Sequence, residues 1–418
     1  MTDGERQHGI VLSGGGANGA YEVGVLKALL AGLSPATGYR PIAPSVYAGT
    51  SIGSYNAAFM VGQWDSFGPT STGNLERSWL EVLAQNPGRY GNGAYRFRGD
   101  PVAFLAPSSY MPNPLQPFLR VVQDGAFLTW DAMQRAVHLV TNPDQSLGQR
   151  AVDLFDFTAF ISTGVWQRSI KKTIDFEGIR RSSRRLRIAA TNWNTGALNI
   201  FTNLDMTDRL GPLAIQASGA IPGVFPPVLV GAEPYVDGGV LMNTPLKLAV
   251  DAGARVLHVI YLDPDVRSIP LGALHSTLGT IYRQQTIGWA RVVNDDIGDA
   301  AAINEGLDLM ARVQKGEEIT DPEVKELAKV LAIIWVRLRQ NLEYAPLTIH
   351  RYHPRDDLGG GAGGALNLER SHLEELIKRG LDDAVTHDCV SSGCVLLAAD
   401  KLEAAAGAPP VRVEDLGR

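Results

Sequence analysis

Ser45-Val46-Tyr47-Ala48-Gly49-Thr50-Ser51-Ile52-Gly53 carries a short apolar run into a turn with a glycine on either side of a serine. A small-residue helix follows, from Ser54 to Val61. The same order of events occurs upstream. Ile10-Val11-Leu12 breaks on Ser13-Gly14-Gly15-Gly16, and Val23, Leu26, Leu29 and Leu30 then mark one face of a helix from about Asn18 to Leu30. Strand, turn and helix, twice over, predict an α/β sandwich with a mainly parallel sheet.

The rest of the chain extends that pattern unevenly. Residues 64 to about 125 mix Gly, Pro, Asn and aromatics and read as an excursion from the sheet, a cap over a site. Strands resume at Leu186–Thr191, at Leu198–Phe201 after the turn Asn194-Thr195-Gly196, and at Val256–Leu262 behind a helix over Leu246–Ala252. Thr277 to Gln340 is predicted helical. Thr320-Asp321-Pro322-Glu323 starts a segment whose stripe of Val324, Leu327, Leu331, Ile334 and Leu338 reads as core-facing. Leu347–His350 reads as a last strand. Gly359–Gly364 reads as a linker, Ser371 to about Val385 as a final helix, and residues 403–418 as a loose tail.

Composition narrows the class. With 418 residues the chain can bury a large core, and 45% hydrophobic against 20% charged residues excludes wholesale disorder. A formal charge of −6 is the wrong sign for a nucleic-acid binder. Two cysteines do not make a disulfide scaffold in a chain of this length. No basic segment leads into an apolar one at the N-terminus, and no apolar run reaches the length of a membrane span. The expected location is cytoplasmic or peripheral to a membrane.

Gly49-Thr50-Ser51-Ile52-Gly53 fits the G-x-S-x-G turn that lifts a serine hydroxyl clear of a sheet. The pattern alone carries little in a chain with 45 glycines, and its strand-before, helix-after context carries more. Gly14, Gly16 and Gly19 also satisfy the dinucleotide fingerprint, but no acid lies between Glu22 and Asp65 to hold a ribose, and no Lys-Ser/Thr pair makes a P-loop. The alternative use of the same loop is an oxyanion hole, with the Gly14, Gly15 and Gly16 N–H groups at the positive end of a helix. A nucleophilic serine needs a base. Tyr235-Val236-Asp237-Gly238-Gly239 delivers a carboxylate from a short strand to an open glycine turn.

In this combination the sequence resembles the patatin-like phospholipase family. The matching residues are Gly14-Gly15-Gly16-Ala17-Asn18-Gly19 with Gly24-Val25-Leu26, then Gly49 to Gly53, then Asp237-Gly238-Gly239. Ala217-Ser218-Gly219-Ala220-Ile221-Pro222 with Phe225-Pro226-Pro227 is similar to the family's segment ahead of its aspartate, and Asn243-Thr244-Pro245 to the segment after it. The sandwich domain is expected over residues 1–355, with an insertion or cap at 64–170 and a helical region at 270–345, followed by a linker and C-terminal helix at 356–402. The resemblance itself spans about residues 8–262, with Leu373–Ala384 similar to the family's closing helix, and implies a three-layer α/β/α sandwich. It also implies a serine acyl hydrolase acting on lipid esters through a Ser51–Asp237 dyad, with no metal or organic cofactor. Gly19, Gly49, Gly53, Gly238 and Gly239 are its supporting positions. Asn18 stands where the family often has Arg or Lys, which removes a charge from beside the oxyanion loop. A catalytically silent scaffold that binds lipid or a protein partner is the rival reading.

Other residues are weighed and set aside. A Ser-His triad through His258 or His350 is the fallback for a remote Asp237. His350 and His353 have too few partners to hold zinc, and His387, Cys389 and Cys394 lack a fourth ligand, so a free thiol pair is expected. Lys171, Lys172, Arg180, Arg181, Arg184, Arg185 and Arg187 read as a solvated loop rather than a lipid head-group site. Phe104, Leu105, Tyr110, Met111, Leu115 and Phe118 read equally as an interfacial lid or a packed loop. Trp64, Trp79, Trp130 and Trp166 are expected in the core.

Overall fold

The computed structural model describes residues 7–85, 91–99, 115–141, 161–262, 277–314, 346–359 and 364–397. The sheet starts with β1 (His8–Leu12) and β2 (Val46–Thr50), linked through α1 (Gly19–Ala31). Next come α2 (Ile52–Phe67), α3 (Ser71–Ser78) and a π-helical turn over Trp79–Leu83. A two-residue strand β3 (Arg96–Phe97) pairs with β4 (Ile161–Ser162), outside the main sheet, with α4 (Gln116–Thr141) between them in sequence. Helices α5 (Gly164–Thr173) and α6 (Phe176–Arg181) lead into β5 (Arg185–Asn192) and its hairpin partner β6 (Leu198–Thr202). The chain continues through α7 (Gly211–Ser218), β7 (Val228–Val230), β8 (Glu233–Asp237), α8 (Leu246–Asp251) and β9 (Val256–Ile260). It closes with α9 (Thr277–Gln314), β10 (Thr348–Tyr352) and α10 (Arg370–Val385).

The main sheet runs β10-β9-β1-β2-β5-β8-β7 with β6 also on β5, and its first five strands are all parallel. Such strands need helices on both faces, so they are buried throughout rather than alternately. β2 and β9 are buried at every residue. Alternation sends successive side chains into two separate cores. Ile10, Leu12 and Tyr47 join the core under α1, α2 and α3, whereas Val11, Val46 and Ala48 join the one under α8 and α9. This is the expected three-layer sandwich with a mainly parallel sheet. α10 lies against α1 at two glycines: a Cβ on Gly24 would meet the Ile377 carbonyl, and one on Gly380 the Tyr21 carbonyl.

Some expectations change. The stretch from residue 64 begins as core helix, with Trp64, Leu75 and Trp79 buried, and α2 runs on past Val61 to carry Trp64 inward. Trp166 is also buried, but Trp130 is exposed on α4. Most of the basic run is not a loop: six of its seven cations lie on α5, α6 and β5, and only Arg184 sits in the bend before β5. The apolar residues between them, Ile170, Phe176, Ile179, Leu186 and Ile188, are buried and impose the regular structure. The proline-rich segment 101–114, the stripe from Val324 to Leu338 and the tail 403–418 lie outside the described residues.

Candidate active site

The register of β5 assembles the site. β6 and β2 pair with opposite edges of β5, because Arg187 faces Ala48 on one side and Thr202 on the other. β8 therefore shares the β2 edge, beyond the end of β2. Thr50, the last residue of β2, lies opposite Ala189, and Asp237, the last residue of β8, lies opposite Ala190. A parallel and an antiparallel strand thus end head to head on consecutive residues of one neighbour. Their next turns carry Ser51 and the Gly238-Gly239 pair.

Ser51 sits between β2 and α2 at φ 55° and ψ −124°, a conformation that an L-residue rarely adopts. Its glycines are dictated by sterics. A Cβ on Gly49 would strike the Gly53 carbonyl, and one on Gly53 would strike the Leu12 carbonyl. The strained turn is held by Ser218 at the end of α7. Its hydroxyl accepts the Ser51 N–H at 2.9 Å and donates to the Ala189 carbonyl at 2.7 Å.

Asp237 is buried, and burial pushes its carboxyl from 3.8 up to about 7, opposed by the nearby Ser51 hydroxyl and the Gly239 N–H. Gly239 N–H donates to Oδ1 at 2.7 Å. The Ser51 contact favours the ionised carboxylate but does not meet the geometry of a formed hydrogen bond, and Oδ2 has no partner. A Cβ on Gly238 would collide with the Ala189 carbonyl. Trp289 of α9 donates its indole N–H to the Gly239 carbonyl, covering the turn from the far layer.

The glycine loop lies alongside. A Cβ on Gly14 would come within 3.0 Å of the Ser51 Cβ. Gly14 N–H is already engaged, donating to the Asn243 carbonyl at 3.1 Å, and the Asn243 amide donates back to the Gly14 carbonyl at 3.3 Å. The Gly15 and Gly16 N–H groups make no hydrogen bond among the described residues. Gly16 has φ 61°, and a Cβ there would meet the Ala365 carbonyl. Gly19 packs on Ile52, drawing α1 against α2. Asn18 is buried at the start of α1, and its Oδ1 has no partner.

Ser218, Asn243 and Thr244 lie in the family-like segments, but their roles as supports are structural: Ser218 holds the Ser51 turn, Asn243 grips the loop, and Thr244 pairs its hydroxyl with that of Ser13 at 2.8 Å. Beneath the loop, the Asn56 amide donates to the Gly19 carbonyl at 3.0 Å and to Glu22 at 2.7 Å, and Trp79 donates to Asn56 at 2.9 Å. Burial pushes the Glu22 carboxyl well above its ordinary range, opposed by the hydrogen bonds from Asn56 and from the Ser13 backbone.

Ser51, Gly16 and Ala17 open onto a cleft of about 70 Å³ lined mainly by apolar side chains, among them Trp79, Trp166, Ile221 and Phe225. A larger cavity of about 560 Å³ reaches Ser13, Asn243 and Thr244 but includes neither Ser51 nor Asp237. The fallback histidines are elsewhere. His258 bonds to His8 at 3.1 Å and to the Tyr352 hydroxyl at 3.2 Å, and His350 meets Cys389. One expectation is corrected: His387, Cys389 and Cys394 do have a fourth candidate ligand beside them, His350, delivered by β10.

The chain is thus an α/β/α sandwich with a serine on a strand-to-helix turn beside a turn that carries a buried acid. The model of the patatin-like phospholipase family matches residues 10–250, more than half of the chain, and the chain belongs to that family. Membership supports lipid acyl hydrolase activity in general. No curated protein sequence matches the chain. Among solved structures, VipD from Legionella pneumophila is similar at 13% identity and a TM-score of 0.33, over 96% of this chain and 74% of that one. A likeness of that size says nothing more about this chain.

Proposed function

We propose that this protein hydrolyses carboxylic esters of lipids, of the phospholipase A, lysophospholipase or non-specific lipid acyl hydrolase kind, with Ser51 as nucleophile and Asp237 as its base. The observation that supports the reading is the meeting of the two turns on β5, which carries Ser51 next to a turn whose buried Asp237 carboxyl is raised to about 7. Asp237 takes the Ser51 proton as Oγ attacks the ester carbonyl. Negative charge develops on the carbonyl oxygen, where the unengaged Gly15 and Gly16 N–H groups supply the donors. Gly14 then serves as the anchor that Asn243 holds rather than as a donor. Collapse of the intermediate returns the proton to the leaving alcohol and leaves an acyl-Ser51 ester. Asp237 next accepts a proton from water, the hydroxide adds to that ester, and collapse releases the fatty acid as Asp237 returns the proton to Ser51 Oγ.

The apolar cleft beside Ser51 suits an acyl chain. α4 exposes Phe118, Leu119, Val122, Trp130 and Met133, a set suited to contact with a lipid surface. No helix among the described residues is long and apolar enough to cross a membrane. The test is a fluorophosphonate probe followed by peptide mapping. Wild type is expected to carry the label on Ser51, and Ser51→Ala to lose label and to lose esterase activity by more than about a thousandfold. An unlabelled folded chain, or full activity in Ser51→Ala, overturns the assignment and favours a silent scaffold.

A further inference from the structure

Outside the candidate active site, four side chains converge at the β10 edge of the sheet. His350 lies on β10, and His387, Cys389 and Cys394 lie in the turn that follows α10. One ligand atom of each falls within 4.8 Å of all the others. Cys389 Sγ is 3.5 Å from His350 Nδ1 and 3.5 Å from His387 Nε2, and Cys394 Sγ is 3.4 Å from His387 Nε2. For a tetrahedron with Zn–S near 2.3 Å and Zn–N near 2.05 Å, the sulfur-to-nitrogen edges are about 3.6 Å. Three of these edges are already close to that length, at 3.4–3.5 Å. We propose that His350, His387, Cys389 and Cys394 form a closed, four-coordinate structural zinc site.

The backbone around the four residues is shaped to present them. Asp388 caps the turn, accepting from the N–H groups of Val390 at 3.1 Å and Ser391 at 3.2 Å. Cys394 N–H returns to the Cys389 carbonyl at 2.9 Å, closing a knuckle with one cysteine at each end, and Gly393 takes φ 64° within it. Ile349 and Val395 exchange both backbone hydrogen bonds, at 2.8 and 2.9 Å, which sets Cys394 next to His350 across the strand edge. The Arg351 N–H points at the Cys394 sulfur at 3.3 Å, the kind of donor that supports a metal-bound thiolate. The ring of His387 packs on Tyr352, and that of His350 stacks on His258, fixing both imidazoles.

Two imidazoles and two thiolates are the donor set of a borderline-soft cation rather than of calcium or magnesium. Binding forms two Zn–S and two Zn–N bonds, and the two thiol protons pass to solvent. All four positions are taken by protein, so the metal has no open site for substrate and its role is structural. It ties the turn after α10, the last described helix, to β10 beside the Ile349–Val395 pairing at the edge of the sheet.

The test uses the full untagged chain, purified under reducing conditions from zinc-supplemented culture. Elemental analysis is expected to find one equivalent of zinc, and replacement by cobalt to give the intense visible bands of a tetrahedral centre with a thiolate charge-transfer band. Cys389→Ser and His387→Ala are expected to lower zinc content by about tenfold or more, with Ser391→Ala in the same turn keeping it. Cys394→Ser, with one thiolate left, is expected to roughly halve the charge-transfer intensity in cobalt titrations. Absence of zinc together with no cobalt spectrum in the reduced wild type overturns the proposal, as does unchanged metal content in folded Cys389→Ser and His387→Ala.

Discussion

The sharpest consequence of the site is that its proposed base opposes folding at the pH where it works. Asp237→Asn keeps the shape of the side chain and removes the ionisation. In the unfolded chain the carboxyl titrates at its ordinary 3.8, and in the fold burial raises it to about 7. Between those values the native state keeps a proton that the unfolded chain has released, so stability falls as pH rises. The loss is absent below the lower value and complete above the upper one. Three units correspond to about 4 kcal/mol over the full span, of which about 2.5 kcal/mol falls between about pH 5 and about pH 8. Urea unfolding of wild type and Asp237→Asn at those two pH values isolates this group, because every other titration is common to both chains. The variant is expected to gain about 2.5 kcal/mol on wild type in passing from the lower to the higher pH, and to be inactive at both. A stability gap that stays constant with pH refutes the reasoning. Asp237 would then have an ordinary pKa, and a carboxylate of that basicity is a poor acceptor for a serine proton.

On the proposed mechanism the same carboxyl governs activity with the opposite sign. kcat/KM for a soluble ester is expected to rise with pH and level off above about 7, since only ionised Asp237 accepts the Ser51 proton; a profile flat across that range contradicts the assignment. Ser218→Ala strips the acceptor from the buried Ser51 N–H. A loss of about 1–3 kcal/mol in urea unfolding is expected, with kcat lowered more than KM is raised. Unchanged stability and rate would mean that the strained turn holds itself.

The parts of this protein legible in its sequence are those set by steric exclusion between near neighbours. Gly49 and Gly53 are glycines because Ser51 must turn sharply between a strand and a helix, and that requirement is written within five residues. Asp237 before two glycines is of the same kind, and both strand-turn-helix units followed from apolar runs ending at glycine. What stayed hidden depends on pairing between distant segments. Ser218 stands 167 residues from Ser51, Asn243 stands 229 from Gly14, and His350 stands 39 from Cys389. No local pattern distinguishes a serine at a helix end that holds a nucleophile from one that merely faces solvent.

The glycine loop shows why this matters for chemistry as well as for fold. Three successive glycines read alike as donors, yet Asn243 engages the N–H of the first, and only the next two are unengaged. The residue that holds Gly14 comes six positions after Asp237, so the loop that would bind the oxyanion and the turn that carries the base are locked into one unit. A shift of the Asp237 turn therefore moves both halves of the proposed site together. Asn18 bears on neither link, since the backbone donors are set by Gly14 and Asn243, and the missing cation alters the field at the oxyanion without removing the groups that would bind it.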